Sequence, residues 1–453
     1  MNEIIKLGIE QEEALNLILK FIKTKKVAFS LSGYAGTGKS FLIKALIDEL
    51  DKLKIDYTLC APTHKAKTVL ERFTGKEGIT VHKLLALSPN INIIDLDFRN
   101  LQFLSKLASN YFPFDSIIIC DESSMINDYL FGLLIDRCKS ANTKIIFVGD
   151  IKQIKPVNSI QTSKVFELED NYFLTQIFRQ NHESALSEVL PISREQFIPR
   201  FKTDICEKGS IYTFSQPRDF FMKSIPYFNK AIENLDILES KILSYTNDRV
   251  AYFNIKMVEA LFGLEKEYNK FQFITGYENL VFDDYSFWNS MDYIIMQEPE
   301  SILINIPHVG LYPGYKLVLW DSSDKCEQTV NILSKYITEQ KIRTLTYTIE
   351  HTRLEAIDLK ERKSRLAGLK WKEYYSIMNS FTTPIDLYFD NRLIRKKSFD
   401  GGYATTIHRS QGSSINNTFI DMKSIDFCRD EQEKRQLQYV ALSRSKNNVY
   451  ILQ

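Results

Sequence analysis

Over the first 180 positions, short apolar runs rich in β-branched residues alternate with stretches whose apolar residues recur every three or four places. The runs are Val27–Leu31, Ile55–Cys60, Ser116–Cys120 and Lys144–Val148. Runs of this kind are buried on both faces, and with helices between them they predict a parallel α/β sheet. Phe41, Leu42, Ala45, Leu46 and Leu50 mark the helix after the first run. A polar, aromatic-dotted stretch at 86–114 interrupts the rhythm. A second α/β region opens near Lys241–Tyr245 and resumes at Thr418–Asp421 and Asn448–Leu452. Between them, 283–350 reads as short strands with Pro and Gly turns, such as Gly310–Val318. The following stretch, 351–380, reads as a charged helix with Leu354, Ile357, Leu359, Leu366 and Leu369 as its apolar positions. There is no internal repeat or low-complexity tract.

The 453 residues leave room for about three domains. Lys and Arg (58) nearly balance Asp and Glu (57), so no global positive field points to nucleic acid, and a polyanion must meet a local basic groove. The six cysteines are scattered with no C-x-x-C pair. That pattern suggests neither a zinc site nor a disulfide framework, and predicts reduced core thiols. The N-terminus, Met1–Lys6, lacks a basic region followed by an apolar one, and no apolar run is long enough to span a bilayer. The expected location is the cytoplasm, that of a host if the chain is viral.

Directly after the first run stands Gly33-Tyr34-Ala35-Gly36-Thr37-Gly38-Lys39-Ser40, which fits G-x-x-x-x-G-K-[ST] between a strand and an amphipathic helix. Glycines let the backbone fold tightly enough to aim its N–H groups at phosphate, and the helix N-terminus adds partial positive charge. Lys39 would reach the β- and γ-phosphates of ATP, and the Ser40 hydroxyl would join a Mg²⁺ shell. The bland alternative, a glycine-rich turn, does not explain all eight positions in this context. Ile117–Cys120 then ends in Asp121 and Glu122, the Walker B arrangement: Asp121 for Mg²⁺, Glu122 as general base toward water. Phe147–Val148 runs into Gly149-Asp150-Ile151-Lys152-Gln153, a third strand end facing the same crevice, where Gln153 can orient water and sense the γ-phosphate.

Taken in order, the residues resemble superfamily 1 helicases of the RecD-like, 5′-to-3′ class (superfamily 1B), in particular phage members of that group. The matching pieces are Leu7–Gln11, the P-loop, Ala61–Ala66, Thr80–His82, Asp121–Glu122, Gly149–Gln153, Leu174–Gln180, Tyr245–Asn247, Thr406–Gly412 and Tyr439–Arg444. They span nearly the whole chain. The resemblance implies an α/β fold: two RecA-like P-loop domains with parallel sheets, a small pin insertion, and an SH3-like β-barrel insertion with a helical arm. The expected boundaries are 1–85 with 115–182 for the ATP-binding domain and 86–114 for the pin. Residues 183–282 with 401–453 form the second RecA-like domain, and 283–400 the barrel insertion.

The same resemblance implies roles. Gln11 would read adenine, since its amide offers a donor and an acceptor. Gly33, Gly36, Thr37, Gly38 and Gly412 would line the nucleotide. Arg179 and Arg444 would reach the triphosphate across the cleft as arginine fingers, a contribution of about 10³–10⁵-fold where such residues act. Pro62, Thr63, His64, Lys65, Thr80, His82, Thr246, Asn247, His408, Ser410 and Gln411 would supply a single-strand track through phosphate contacts, which position a strand without reading it. Gln411-Gly412 would couple that track to the nucleotide. In the 86–114 insertion, Phe98 or Phe103 either forms the wedge that splits a duplex or packs the insert on the core. The run Arg392–Lys397 either holds DNA or is a solvated face.

The reading is an ATP-dependent 5′-to-3′ DNA helicase, monomeric, using ATP and Mg²⁺. It acts on single-stranded DNA and single-strand/duplex junctions in replication, recombination or repair, with a single-strand-binding protein or replication proteins as partners and no membrane. An RNA helicase and an ATP-gated single-strand remodeller that does not unwind stay open as alternatives. A P-loop kinase leaves Gln153, Gln411-Gly412 and Arg444 unexplained.

Overall fold

Ile117 and Ile119 point to one side of their strand, Ile118 and Cys120 to the other, and none of the four is more than 3% exposed. The first pair packs with Phe29, Leu31, Ile146 and Val148 against helices Ile9–Ile22 and Lys39–Leu53, through Ala14, Ile18, Leu42 and Leu46. The second pair packs with Ile145 and Phe147 against helix Asp128–Ser140, through Leu130, Leu134 and Cys138. Each such side chain contributes about 1.5–3 kcal/mol by leaving water, so burial holds the strands and leaves their polar ends for chemistry.

The computed structural model describes residues 7–88, 104–105, 112–156, 162–178, 184–281, 286–321 and 326–453. They divide into two compact units: residues up to Ser224 with Ser240–Asn247 and Thr405–Gln453, and Ile225–Glu239 with Asp248–Ala404.

The first unit holds two sheets. In the first the strand order is Gly78–Thr80, Tyr57–Ala61, Ile117–Cys120, Lys144–Gly149, Ala28–Gly33, Asn171–Leu174, all pairs parallel. Three adjacent parallel strands therefore deliver Gly33, Asp121 and Asp150 to one edge. In the second sheet the order is Ala404–Thr406, Ser240–Ser244, Asn417–Asp421, Val449–Leu452, Ile211–Phe214, with the last four parallel. Leu243, Ile420 and Ile451 of this sheet share one core with Leu437, Val440 and Ala441 of helix Glu431–Ser443, and with Ala35 and Ile154 of the first sheet's loops.

The second unit is built on an antiparallel sheet in the order Glu300–Ile306, Gly310–Asp321, Asp292–Ile295, Phe273–Gly276, Phe399–Gly401, with Cys326–Leu333 on Gly310–Asp321. Tyr293, Phe287 and Phe399 fill its core. The run of strands expected over 283–350 ends at Leu333 and helix begins at Glu339; the helix expected at 351–380 is two helices, Glu339–Glu361 and Ala367–Asn379. The apolar positions alone do not show the break, which falls where Lys363 takes a left-handed φ of 53°. In the basic run, Arg392 faces Glu350, Arg395 faces Glu278 and Lys397 faces Asp400, so three of its cations are matched by carboxylates. Each of the six cysteines is a free thiol. Among the described residues no helix is long and apolar enough to cross a membrane.

Candidate functional site

The strand Ala28–Gly33 ends in a loop that needs its glycines for different reasons. A Cβ on Gly33 would sit 2.8 Å from both Leu174 Cβ and Thr37 Oγ1. Gly36 and Gly38 have φ of 87° and 75°, the left-handed region that side chains disfavour. The Lys39 ammonium donates to the Gly33 and Tyr34 carbonyls at 2.8 and 2.9 Å, which holds it at the loop. Thr37 is fully buried and donates to the Tyr34 carbonyl at 2.9 Å. Gln11 is buried against the same loop: its amide donates to the Thr37 carbonyl at 3.1 Å and to Gly38 at 3.4 Å, and accepts from the Gly8 N–H at 3.0 Å. In this arrangement the amide braces the P-loop backbone. Beside it lies Phe178, half-exposed, whose N–H donates to the Gly36 carbonyl at 2.8 Å and whose ring is the near neighbour of Gly8 and Gly38.

Adjacent carboxylates need a backbone device to separate them, and Glu122 supplies it with a left-handed φ of 50°. Asp121 continues the ladder through its N–H to Cys60, and the Glu122 N–H donates to Asp121 Oδ1 at 2.8 Å. Burial, and then the Glu122 charge, raise the Asp121 carboxyl to about 7, against the pull of the Glu122 N–H and Lys39. A hydroxyl and a carboxylate with excess negative charge around it are hard oxygen donors of the kind Mg²⁺ takes, and Ser40 and Asp121 are those donors at this edge. One strand over, Asp150 is fully buried and accepts the Lys152 N–H at 3.0 Å, while the Gln153 N–H closes the turn on the Asp150 carbonyl.

The second sheet's loops meet this edge. The Gln411 amide donates to Gln153 Oε1 at 3.5 Å. Gly412, with φ of 75°, brings the backbone against Ala66 and Glu122: a Cβ there would lie 3.7 Å from Ala66 Cα and 3.8 Å from Glu122 Oε1. Lys65 donates to the Arg409 carbonyl at 3.3 Å. From helix Glu431–Ser443 the Tyr439 hydroxyl donates to Asp150 at 2.7 Å and accepts the Ala35 N–H at 2.9 Å, joining the P-loop to the 149–153 turn. Arg444 is 3% exposed and turned onto its own wall, donating to the Val440 and Ser413 carbonyls at 3.2 and 3.4 Å and to the Ser443 hydroxyl at 3.0 Å.

The expected track residues divide. Thr63 and Thr80 cap helices, accepting the Ala66 and Lys83 N–H groups at 3.1 and 3.2 Å. Ser410 is fully buried and donates to the Ile407 carbonyl at 2.7 Å, which shapes its turn and removes it from contact with a strand. Pro62 is buried, Thr246 is half-buried and Asn247 exposed. Burial, with Lys67, His82 and Lys83 next, lowers His64 to about 4, and burial lowers His82 too. Burial also lowers His408, partly offset by Glu433 at 3.5 Å. These imidazoles are therefore neutral donors near pH 7. Arg179, Phe98 and Phe103 lie outside the described residues. Sequence reasoning assigned nothing to Tyr439, Asp150, Phe178 or Arg194. Tyr439, Asp150 and Phe178 all stand inside the matching pieces, but the Tyr439–Asp150 bond and the Phe178 bond to Gly36 join residues far apart in sequence.

A family described as "AAA domain" matches residues 6–205, and one described as "UvrD-like helicase C-terminal domain" matches residues 401–452. The chain is 26% identical over 466 residues to "ATP-dependent DNA helicase dda" of Enterobacteria phage T4, covering 97% of this chain and 98% of that protein. It is 33% identical over 151 residues to "ATP-dependent RecD2 DNA helicase" of Deinococcus radiodurans, which is 33% of this chain and 19% of that one. Among solved structures, the Pif1 helicase from Candida albicans aligns with a TM-score of 0.54 at 20% identity, covering 99% of this chain and 94% of that chain, a likeness of fold.

Proposed function

We propose that this chain, a superfamily 1B helicase by its motif series, its two parallel sheets and its full-length relative, is an ATP-dependent DNA helicase that moves 5′-to-3′ on single strands. The observation that carries the reading is the loop at 408–412. It touches the Lys65–Ala66 end of a helix on one side, and Glu122 and Gln153 on the other. One short loop thus borders both the expected strand track and the expected hydrolysis groups.

The chemistry follows from the chain's own residues. Backbone N–H groups of the P-loop and Lys39 would bind the phosphates of ATP, and Phe178 would offer its ring to the base. Glu122 would take the proton of the attacking water, and Gln153 would orient that water. Ser40 and Asp121 would hold Mg²⁺, which neutralises phosphate charge when bound. Arg444 would act after turning from its own-wall partners toward the phosphates, with Arg179 as a second guanidinium, so that hydrolysis depends on how the Gln411–Gly412 loop is set. Lys65, His64, His82 and Asn247 would contact strand phosphates. Because none of these contacts is to a base edge, the motor would be indifferent to sequence. We read the chain as a cytoplasmic monomer serving replication, recombination or repair, with a single-strand-binding protein as partner.

The test is a pair of partial duplexes with a 5′ or a 3′ tail, after ATPase assays with and without single-stranded DNA. Strand-stimulated hydrolysis with unwinding of the 5′-tailed substrate is expected. Stimulation without unwinding would make it a remodeller, unwinding of the 3′-tailed substrate alone would overturn the direction, and stimulation by RNA alone would overturn the substrate.

A further inference from the structure

Apart from the loop edges that face the nucleotide groups, the first unit contains a cavity of about 180 Å³ lined by Lys152, Ser193, Arg194, Arg435, Gln436 and Tyr439, among others. Three of these six side chains are cationic. Lys152 is paired with Glu195 at 2.8 Å, and Arg435 donates to the Glu195 carbonyl at 2.9 Å. Arg194 is different. It is 6% exposed, its guanidinium carbon lies 4.0 Å from the Tyr34 ring centroid and 5.7 Å from that of Tyr439, and its Nε and Nη2 have no hydrogen-bond partner among the described residues. The nearby Asp150 carboxylate is already engaged by the Tyr439 hydroxyl and the Lys152 N–H. A buried guanidinium with two unused donors is costly to keep, and aromatic faces compensate only part of that cost. Gln436 also lines the cavity, and its Oε1 acceptor is likewise buried without a partner among the described residues.

We propose that this cavity, which borders the P-loop at Tyr34, is a binding site for a free, phosphate-sized oxyanion, held by Arg194 and Arg435 and distinct from the place that Lys39 serves. The volume is below the roughly 300–1,000 Å³ of pockets for larger ligands, so a single small ion with water fills it. A planar guanidinium presents its N–H groups in a fork that matches phosphate oxygens. Hydrogenphosphate also carries an O–H, which suits the unpartnered Gln436 acceptor. A phosphodiester in a strand has two ester oxygens tied to sugars and cannot enter as deeply as Arg194. Inorganic phosphate is therefore the occupant. Bound there, it would join the turn at 151–152 to helix Glu431–Ser443 and hold the two walls of the site together. On the ATPase reading, the product phosphate would then slow turnover; the binding itself does not depend on that reading.

The test uses the full-length protein and inorganic phosphate, following the thermal unfolding midpoint against sodium chloride at matched ionic strength. A saturable rise in the midpoint specific to phosphate is expected. Arg435→Gln, on a half-exposed position, and Arg194→Gln should each weaken the apparent affinity by about 10- to 100-fold. Lys39→Ala should leave it intact. No phosphate-specific rise in the wild type overturns the proposal. So does a rise that survives Arg435→Gln, or one that Lys39→Ala abolishes, since the ion would then sit at the P-loop. Should Arg194→Gln fail to fold, Arg435→Gln decides alone.

Discussion

At the first parallel sheet, Lys39, Asp121 and Gln153 leave adjoining strand ends on turns whose shape is local: left-handed φ at Gly36, Gly38 and Glu122, and a turn closed from Gln153 to Asp150. At the second sheet the functional side chains are held from far away or turned inward. Tyr439 reaches Ala35 and Asp150, Gln411 reaches Gln153, and Arg444 is bonded to Val440, Ser413 and Ser443. One wall is defined by its own backbone, the other by side-chain hydrogen bonds that can be exchanged. That asymmetry suits a site in which the first wall binds and the second decides when binding becomes turnover.

Lys39→Ala should break the first wall's chemistry most deeply, lowering ATP turnover by about 10²–10³-fold, the size of losing one preorganised charge donor. Strand binding, read by fluorescence anisotropy, should persist; its loss would mean that the two roles are not separable. Tyr439→Phe should act on stability as well as rate. It removes two bonds and leaves a fully buried carboxylate and the Ala35 N–H each short of a partner, costing about 1–3 kcal/mol for each group left unpaired in urea unfolding. A double-mutant cycle with Asp150→Asn should show coupling of about 1 kcal/mol or more, and additivity would detach Tyr439 from the 149–153 turn. Gln411→Ala should cut the ratio of strand-stimulated to basal ATPase by about tenfold, roughly one exchangeable hydrogen bond in the transition state. An unchanged ratio would remove the 408–412 loop from the coupling.

The smallest effect concerns His64. Burial and nearby cations hold its folded value at about 4, below the ordinary 6.5. As pH falls from about 6.5 to 4, the unfolded chain binds a proton that the folded one resists. Stability is therefore fully present above that window and lost on descending through it. For a partly hydrated imidazole the loss is about 1 kcal/mol. Urea midpoints at pH 7 and pH 5 should converge in His64→Gln; an unchanged gap would place the pH dependence elsewhere.

Legibility tracked distance along the chain. The P-loop, the paired carboxylates and the Gly149–Gln153 turn were readable because strand, turn and helix follow one another within a few residues, and a glycine or a carboxylate at a strand end has few other uses. The antiparallel unit was legible as strands with Pro and Gly turns. Its helical arm was misjudged because a break at Lys363 depends on one backbone angle and not on the spacing of leucines. The track was the least legible part: a threonine before a helix reads equally as a cap or as a phosphate contact. Thr63 and Thr80 are caps in the structure, and Ser410 points inward.

By itself, then, the sequence determined the parallel α/β elements, the phosphate loop, the identity of the acidic and amide groups near it, and the order of motifs that marks a helicase. These rest on periodicity and on turn chemistry, both local. Only the tertiary structure decided that Gln11 braces the P-loop, that Tyr439 ties Ala35 to Asp150, that Arg444 is turned to its own wall, and that Arg194 stands buried with donors unused. Tyr439 depends on partners 404 and 289 residues away, Gln11 on a loop 26 residues on, Arg444 on which way its side chain turns, and Arg194 on what burial leaves unpaired; neither spacing nor composition carries that information.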